Sequence, residues 1–474
     1  MQDMRKYILT LLLGNCCFFL SCNNDFNEDI DTVFSSGDAD FSKYVALGDA
    51  FTSGFRDNAL YVAGQKESFP LMIAEQMKRS GCKDFKIPFM ADELGGIPNA
   101  KVDNKKILVV ADGSLTPITS PGTGTTTLAN IYSKGAYQNM GIPGAKSFHL
   151  LATGYGNPAD LALKKANPYF VRIASTTNST VLEDAMSQRP TFFTLWIGIN
   201  DILSYATSGG DGSTFITDIS TFQNAYTKLI QTLTSNSAKG VVANIPDVTD
   251  FPYFNKITSL PFQANQLTSQ QIKNLNESYE GYNSGLDQAK AKNLITKDEA
   301  EIRRIVFSEA KANGAIIIDK DLTNLDKMGL PSIRMSTTKD LFLLSVASIL
   351  KTGGGTSKPI EDQYVLTDKE IGNIQEATQA YNAIIENIAK QYNLAFVDIK
   401  SLIKNLKTKN GILYNGVSYT NIFITGGFFS LDGIHPTGRG YALIANEFIK
   451  SINHKFKSNL PSVNPNLYQS VKFP

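Results

Sequence analysis

The sequence of 474 residues predicts an α/β fold: a three-layer sandwich with a central, mainly parallel sheet flanked by helices and interrupted by inserted segments. Three observations lead there. Tyr44–Leu47, Thr191–Ile197 and Gly240–Ile245 are short, continuous apolar or β-branched runs, the second and third bounded by Gly and Pro. That is the pattern of strands covered on both faces. Thr221 to Leu233 reads as a helix between the second and third runs, which gives the strand–helix–strand order of a parallel pair. Motifs with chemical character run from Gly48 to His435, which argues for one elaborated domain instead of several.

The elements follow in order. Arg5 and Lys6 precede an apolar run from Tyr7 to Leu20, shorter than the roughly 20 residues of a bilayer-spanning helix. The run closes in Ser21-Cys22. A small residue before a cysteine at that point resembles a bacterial lipoprotein signal (residues 1–22), with Cys22 as the lipid-bearing first residue of the mature chain. Ordinary secretion is the plainer alternative, and Cys16 is a weaker rival site. Residues 23–40 begin polar and acidic and read as a flexible tether, similar to that of surface-directed lipoproteins of Bacteroidetes-type bacteria. The expected location is the cell envelope of a Gram-negative bacterium, lipid-anchored in the outer membrane.

Residues 41–460 are expected to form the single domain, with insertions at about 80–135 and 255–365 and a tail at 461–474. After the strand at Tyr44, Glu67 to Arg79 reads as a helix, with Phe69, Leu71, Ile73 and Met77 as its apolar positions. Ile107–Ala111 is a short strand. Residues 112–130, rich in Gly, Ser, Thr and Pro, read as an irregular surface excursion. Gln263 to Arg304 is polar and helical and, with Ser336–Pro359, reads as decoration between strands. Leu341–Leu350 is apolar but too short to span a membrane, and is expected to be buried or to line a pocket. Ala315–Asp319 and Leu394–Asp398 are later strand candidates. Thr367–Tyr392 is a long helix, and Gly438–Ile452 closes the fold with Leu443, Ile444, Phe448 and Ile452 facing the core.

Composition excludes several functions. The formal net charge is +1, with 19% charged and 42% hydrophobic residues. No basic run or helix face offers a nucleic-acid groove. His149, His435 and His454 lie far apart in sequence, so no metal site is expected, and no cofactor is implied. With Cys16 and Cys17 in the signal and Cys22 lipidated, Cys82 is left alone and no intramolecular disulfide is expected.

Four motifs carry the chemistry. Gly48-Asp49-Ala50-Phe51-Thr52-Ser53-Gly54 follows the first strand. Asn139-Met140-Gly141-Ile142-Pro143-Gly144-Ala145 comes next, then Gly198-Ile199-Asn200-Asp201 after the strand ending at Ile197. Asp432-Gly433-Ile434-His435-Pro436 precedes the closing helix. Singly, each has a plain reading: Gly48 and Gly54 permit a tight turn, Asn200 caps a helix, Asp432 starts one. In this order and context they resemble the SGNH (GDSL) hydrolases, over roughly residues 44 to 455. The resemblance implies the flavodoxin-like SGNH hydrolase fold and ester hydrolysis of the lipase, esterase or acetylesterase class. It implies a triad of the residue at position 50, His435 as base and Asp432 as its orienting partner. It implies an oxyanion hole from the N–H groups of Ala50 and Gly144 and the side chain of Asn200, with Gly48, Asp49 and Gly198 in support. The acyl-transfer logic agrees: a nucleophile, a base, a group that fixes the base's tautomer, and donors for the growing negative charge.

The departure is Ala50, where the family has its serine. Alanine brings no nucleophile, donor or acceptor, and losing the nucleophile of a serine hydrolase costs on the order of a millionfold in turnover. The hydroxyls of Thr52 and Ser53, displaced by two or three residues along the turn, are expected to point elsewhere. Three explanations fit: a natural pseudoenzyme that binds an ester, acid or glycan in the old pocket; a residue changed to trap substrate; or water activated by the His435–Asp432 pair. The intact signal segment favours the first. The expected partners are a small-molecule, glycan or lipid ester, and the membrane through the lipid on Cys22. Phe251, Tyr253 and Phe254 are candidates for the cleft wall or for core packing.

Overall fold

The computed structural model describes residues 33–474; Cys22 and the greater part of the expected tether lie outside them. Five strands form the central sheet: β1 (Tyr44–Gly48), β2 (Asn139–Gly141), β3 (Phe192–Trp196), β4 (Lys239–Ala243) and β5 (Ala395–Val397). Their order is β5-β4-β3-β1-β2, and all four pairings are parallel. β1 and β3 are buried at every position, which is why their sequences are continuously apolar instead of alternating.

Helices cover both faces. On one, Phe192 and Trp196 of β3 meet Phe456, Phe69 and Phe448. Phe69 opens α1 (Phe69–Met77), and the other two lie on α2, the closing helix Gly438–Phe456. The helices Asn200–Thr207, Ile219–Leu233 and Asp368–Gln391 group on the other. There Phe222 stacks on Tyr381, with ring centroids 4.0 Å apart. Every connection between adjacent parallel strands must cross a face of the sheet, so strand C-terminal ends gather on one rim. All four motifs begin there or are drawn to it.

The structure departs from the sequence reading in two places and refines it in a third. Ser114–Thr119, expected to be irregular, pairs antiparallel with Lys106–Ala111 as a hairpin. Its turn is Asp112-Gly113, both left-handed, the pairing that a two-residue hairpin loop requires. Ile316–Ile318 is a strand, but it pairs with Ile333–Met335 outside the central sheet. It belongs to the segment inserted between β4 and the helix Asp368–Gln391. That segment has its own core around Ile305, Phe307, Ile316 and Phe342 and a buried Arg334 held by Asp319 and Asp340. Leu341–Leu350 is accordingly divided between a short strand pair and a helix start. Third, the expected tether already docks before its end at residue 40. Asp38 donates to the Phe456 carbonyl, Ser35 pairs with Asn459, and Ala39 is buried. The tail 461–474 is likewise stitched down: Asn446 holds both backbone groups of Val463, and Arg439 donates to the carbonyls of Tyr468 and Gln469. No helix among the described residues is long and apolar enough to cross a membrane.

Candidate active site

The opening turn is set by close packing. A side chain at Gly48 would collide with the Thr52 hydroxyl and the Trp196 carbonyl, so only glycine lets the chain leave β1 there. Asp49 then caps the short helix Ala50–Ser53: its Oδ1 accepts from the Phe51 N–H at 3.0 Å. Its Oδ2 accepts from the Asn200 side-chain amide at 3.1 Å, which ties the first motif to the third. Asp49 is fully buried. Burial pushes its pKa up to about 8, and the nearby Asp201 adds to the rise. Ala50 presents a methyl and a backbone N–H that makes no hydrogen bond among the described residues, as expected at a helix start.

The second motif arrives by sheet register. Gly141 pairs with Gly48, and the Ile142 N–H donates to the Gly48 carbonyl at 3.0 Å. Gly144 follows on the surface, its N–H also without a partner among the described residues. Ser147 then donates both its N–H and its hydroxyl to Asp201, each at 2.8 Å, so the second motif is tied to the third. Gly198, at φ +117, ends β3 where a Cβ would strike Ile245 and Phe222. Asn200 opens the next helix; one of its amide hydrogens is spent on Asp49, which leaves the other for a ligand.

The fourth motif is the most heavily bonded. The Asp432 Oδ1 accepts from the N–H groups of Ile434 and His435, both at 2.8 Å, and from the Ser430 hydroxyl at 3.1 Å. Its Oδ2 lies 2.9 Å from His435 Nδ1 and accepts from the Asn58 N–H at 2.9 Å. Burial alone would raise the Asp432 pKa, but His435 and the N–H donors outweigh it and hold it below the usual carboxylate value. An ionised carboxylate only accepts, so Nδ1 of His435 carries the proton and Nε2 is left as the basic nitrogen. Nε2 has no hydrogen bond among the described residues. The ring is packed by Phe51 and Phe55, each with centroids 4.8 Å away, so His435 stands beside the turn that carries Ala50.

All the singled-out residues of the described chain are therefore brought to one rim: Gly48, Asp49, Ala50, Gly144, Gly198, Asn200, Asp432 and His435. Neither neighbouring hydroxyl replaces the serine. Ser53 is buried and donates back to the Ala50 carbonyl at 2.8 Å, and Thr52 is buried against Gly48. Phe251 and Phe254 are wholly in the core, whereas Tyr253 is half-buried and donates its N–H to the Gly433 carbonyl at 3.0 Å.

Sequence reasoning missed the loop 55–61. Asp57 and Asn58, both left-handed, turn the chain so that the Asn58 N–H meets Asp432. Asp57 itself accepts from the Leu431 N–H and from the Tyr61 hydroxyl. Buried Arg56 bonds Tyr61, Glu67 and Gln469 of the tail. Its partners lie up to 413 residues away; only the turn-forming Asp57-Asn58 pair gave a local signal.

A parallel sheet with an Asp–His pair, a side-chain amide and free backbone N–H groups at one rim defines the frame of an α/β acyl hydrolase. The sequence profile of the GDSL-like lipase/acylhydrolase family matches residues 44–298 and 286–448, and the chain belongs to that family. Solved structures similar to it include an α/β hydrolase enzyme from the metagenome of Lake Arreo, Spain, at 10% identity, a TM-score of 0.34, and coverage of 88% of this chain and 96% of that one. An acetylxylan esterase from Geobacillus stearothermophilus matches with the same identity, TM-score and coverage. No curated protein matches the chain.

Proposed function

We propose that this chain is an ester-hydrolase frame of the GDSL family that binds an acyl ester, its acid or an acylated glycan without turning it over. The observation that carries the reading is the methyl of Ala50, set beside an otherwise complete set of groups. The Ala50 and Gly144 N–H groups and the free hydrogen of the Asn200 amide receive the carbonyl oxygen, and His435 faces the acyl carbon with its proton-accepting nitrogen. No hydroxyl stands between them. A carbonyl group is thus recognised by oriented donors, while the covalent step has no atom to begin it.

The test is hydrolysis of p-nitrophenyl acetate by the chain and by Ala50→Ser. The chain as it stands gives a background rate, and the serine variant gains about 10³-fold or more. Full activity in the unaltered chain, abolished by His435→Ala, would sink the reading, because water or another group would then be doing the serine's work.

The same proposal anchors the protein to the envelope, in the outer membrane, through a lipid on Cys22. Support comes from the charged start, the short apolar run and the small residue before that cysteine. Cells fed a clickable palmitate analogue should label the protein, and Cys22→Ser should abolish the label.

A further inference from the structure

Behind the Asp432–His435 turn lies a cavity of about 310 Å³. Tyr61, Lys105, Leu108, Leu431, Lys472 and Phe473 are among its walls; none of Ala50, Gly144, Asn200, Asp432 and His435 is. Its volume is at the small end of ligand sites.

The charges in its wall are unequally satisfied. Arg56 spends all three guanidinium nitrogens, on Tyr61, Glu67 and Gln469. Asp57 spends both oxygens, on Leu431 and Tyr61. Lys105 is half-buried and has no carboxylate within ion-pair distance among the described residues. Its ammonium instead sits 4.0 Å from the centre of the Tyr61 ring, held by the ring's negative face. Lys106 and Lys472 also line the cavity without an ion-pair partner among the described residues. Glu93, which also acts on Lys105, accepts from the Ala63 N–H at 3.0 Å through one oxygen and forms no ion pair with Lys105. Burial, with Arg56 and Lys472 close by, lowers the Lys105 pKa despite Glu93 and Asp57. An anion in contact would oppose that shift, because a half-buried ammonium that makes no ion pair gains from a close counter-charge.

The rest of the lining fixes the shape of the anion. Ile107, Leu108, Leu431 and Phe473 give the cavity an apolar side, which a bare phosphate would leave unfilled. The geometry points to a binding site for a small amphiphilic carboxylate, its head on Lys105 and Lys472 and its hydrocarbon body against Leu108 and Phe473. The site is independent of the carbonyl-binding reading above, since no residue is shared between the two.

Titration of sodium hexanoate into the full chain by calorimetry tests it, with hexan-1-ol and inorganic phosphate as controls. Hexanoate should saturate at roughly millimolar concentration or below, with the alcohol and the phosphate each at least tenfold weaker. Lys105→Gln should weaken hexanoate by about tenfold, the effect of losing one charge-assisted hydrogen bond. His435→Ala, which removes any acid held at the carbonyl-binding site, should leave the Lys105-dependent part of the isotherm unchanged. If thermal unfolding shows that Lys105→Gln is not folded, Lys472→Gln replaces it, with a several-fold loss expected. The proposal is overturned if hexanoate does not saturate, if phosphate or hexanol binds equally well, if the lysine variant keeps full affinity, or if His435→Ala removes the lysine-dependent component as well.

Discussion

The two turns that meet at the site are built on different terms. Asp432 accepts from five donors: the Ser430 hydroxyl, the N–H groups of Asn58, Ile434 and His435, and the imidazole. It would be needed to hold that turn together even in a protein with no chemistry. Position 50 makes no such demand. Asp49 already caps the helix, the Ala50 carbonyl is met by the Ser53 hydroxyl, and nothing in the fold requires a side-chain oxygen there. Exchange of a serine for alanine at 50 orphans no buried group, whereas loss of Asp432 orphans several. In this architecture an intact Asp–His pair is a poor marker of turnover, because packing alone is reason to keep it.

The contrast is broken or sharpened first by rates. In the Ala50→Ser background, adding His435→Ala should return p-nitrophenyl acetate hydrolysis to background, a fall of about 10³-fold or more in initial rate. If the double variant kept the gain, the base side would contribute nothing to turnover. Stability comes next. Asp432→Ala should lose roughly 3–5 kcal/mol in urea unfolding, while Ala50→Ser stays within about 1 kcal/mol; equal losses would erase the contrast. Third is pH. The folded state raises the Asp49 pKa to about 8, so the protonated form is favoured. The stability linked to it is complete below the unfolded value of about 3.9 and is lost as pH rises through 8. Asp49→Asn should flatten that decline, apart from the share of Asp201, whose pKa burial also raises. A slope unchanged in the variant would place the titration elsewhere. The smallest effect concerns the loop that serves Asp432. Asn58→Val should cost about 1–2 kcal/mol for a branched residue at φ 64, and Asn58→Gly should cost almost nothing, because only the backbone N–H reaches Asp432.

Much of this was legible in the sequence for one reason: the motifs sit at the ends of buried parallel strands, and such strands announce themselves as unbroken apolar runs. β1, β3, β4 and the closing helix were found that way. What was missed lacks periodicity. The strand Asn139–Gly141 is three residues long and reads as a motif, not as an element. The Ser114–Thr119 strand carries Thr and Pro and is partly exposed, so the Asp112-Gly113 turn was its clearest signal. Ile316–Ile318 was legible as a strand inside the inserted segment, but only tertiary pairing shows that its partner is Ile333–Met335. Arg56, Asp57 and Tyr61 act through partners near residues 430 and 469, a relation with no trace in local sequence.

The register that brings the motifs together also governs the birth of the molecule. β1 leaves the ribosome early yet lies inside the sheet, between β2 and β3, and its turn is finished by Asp432 and His435 nearly the whole chain later. Its strand neighbours are made by residue 196, but the closing helix that covers one face of the sheet is among the last elements to emerge. Completing the sheet thus needs closure of long loops, which is intrinsically slow, and an incomplete sheet is the kind of intermediate that is prone to aggregate.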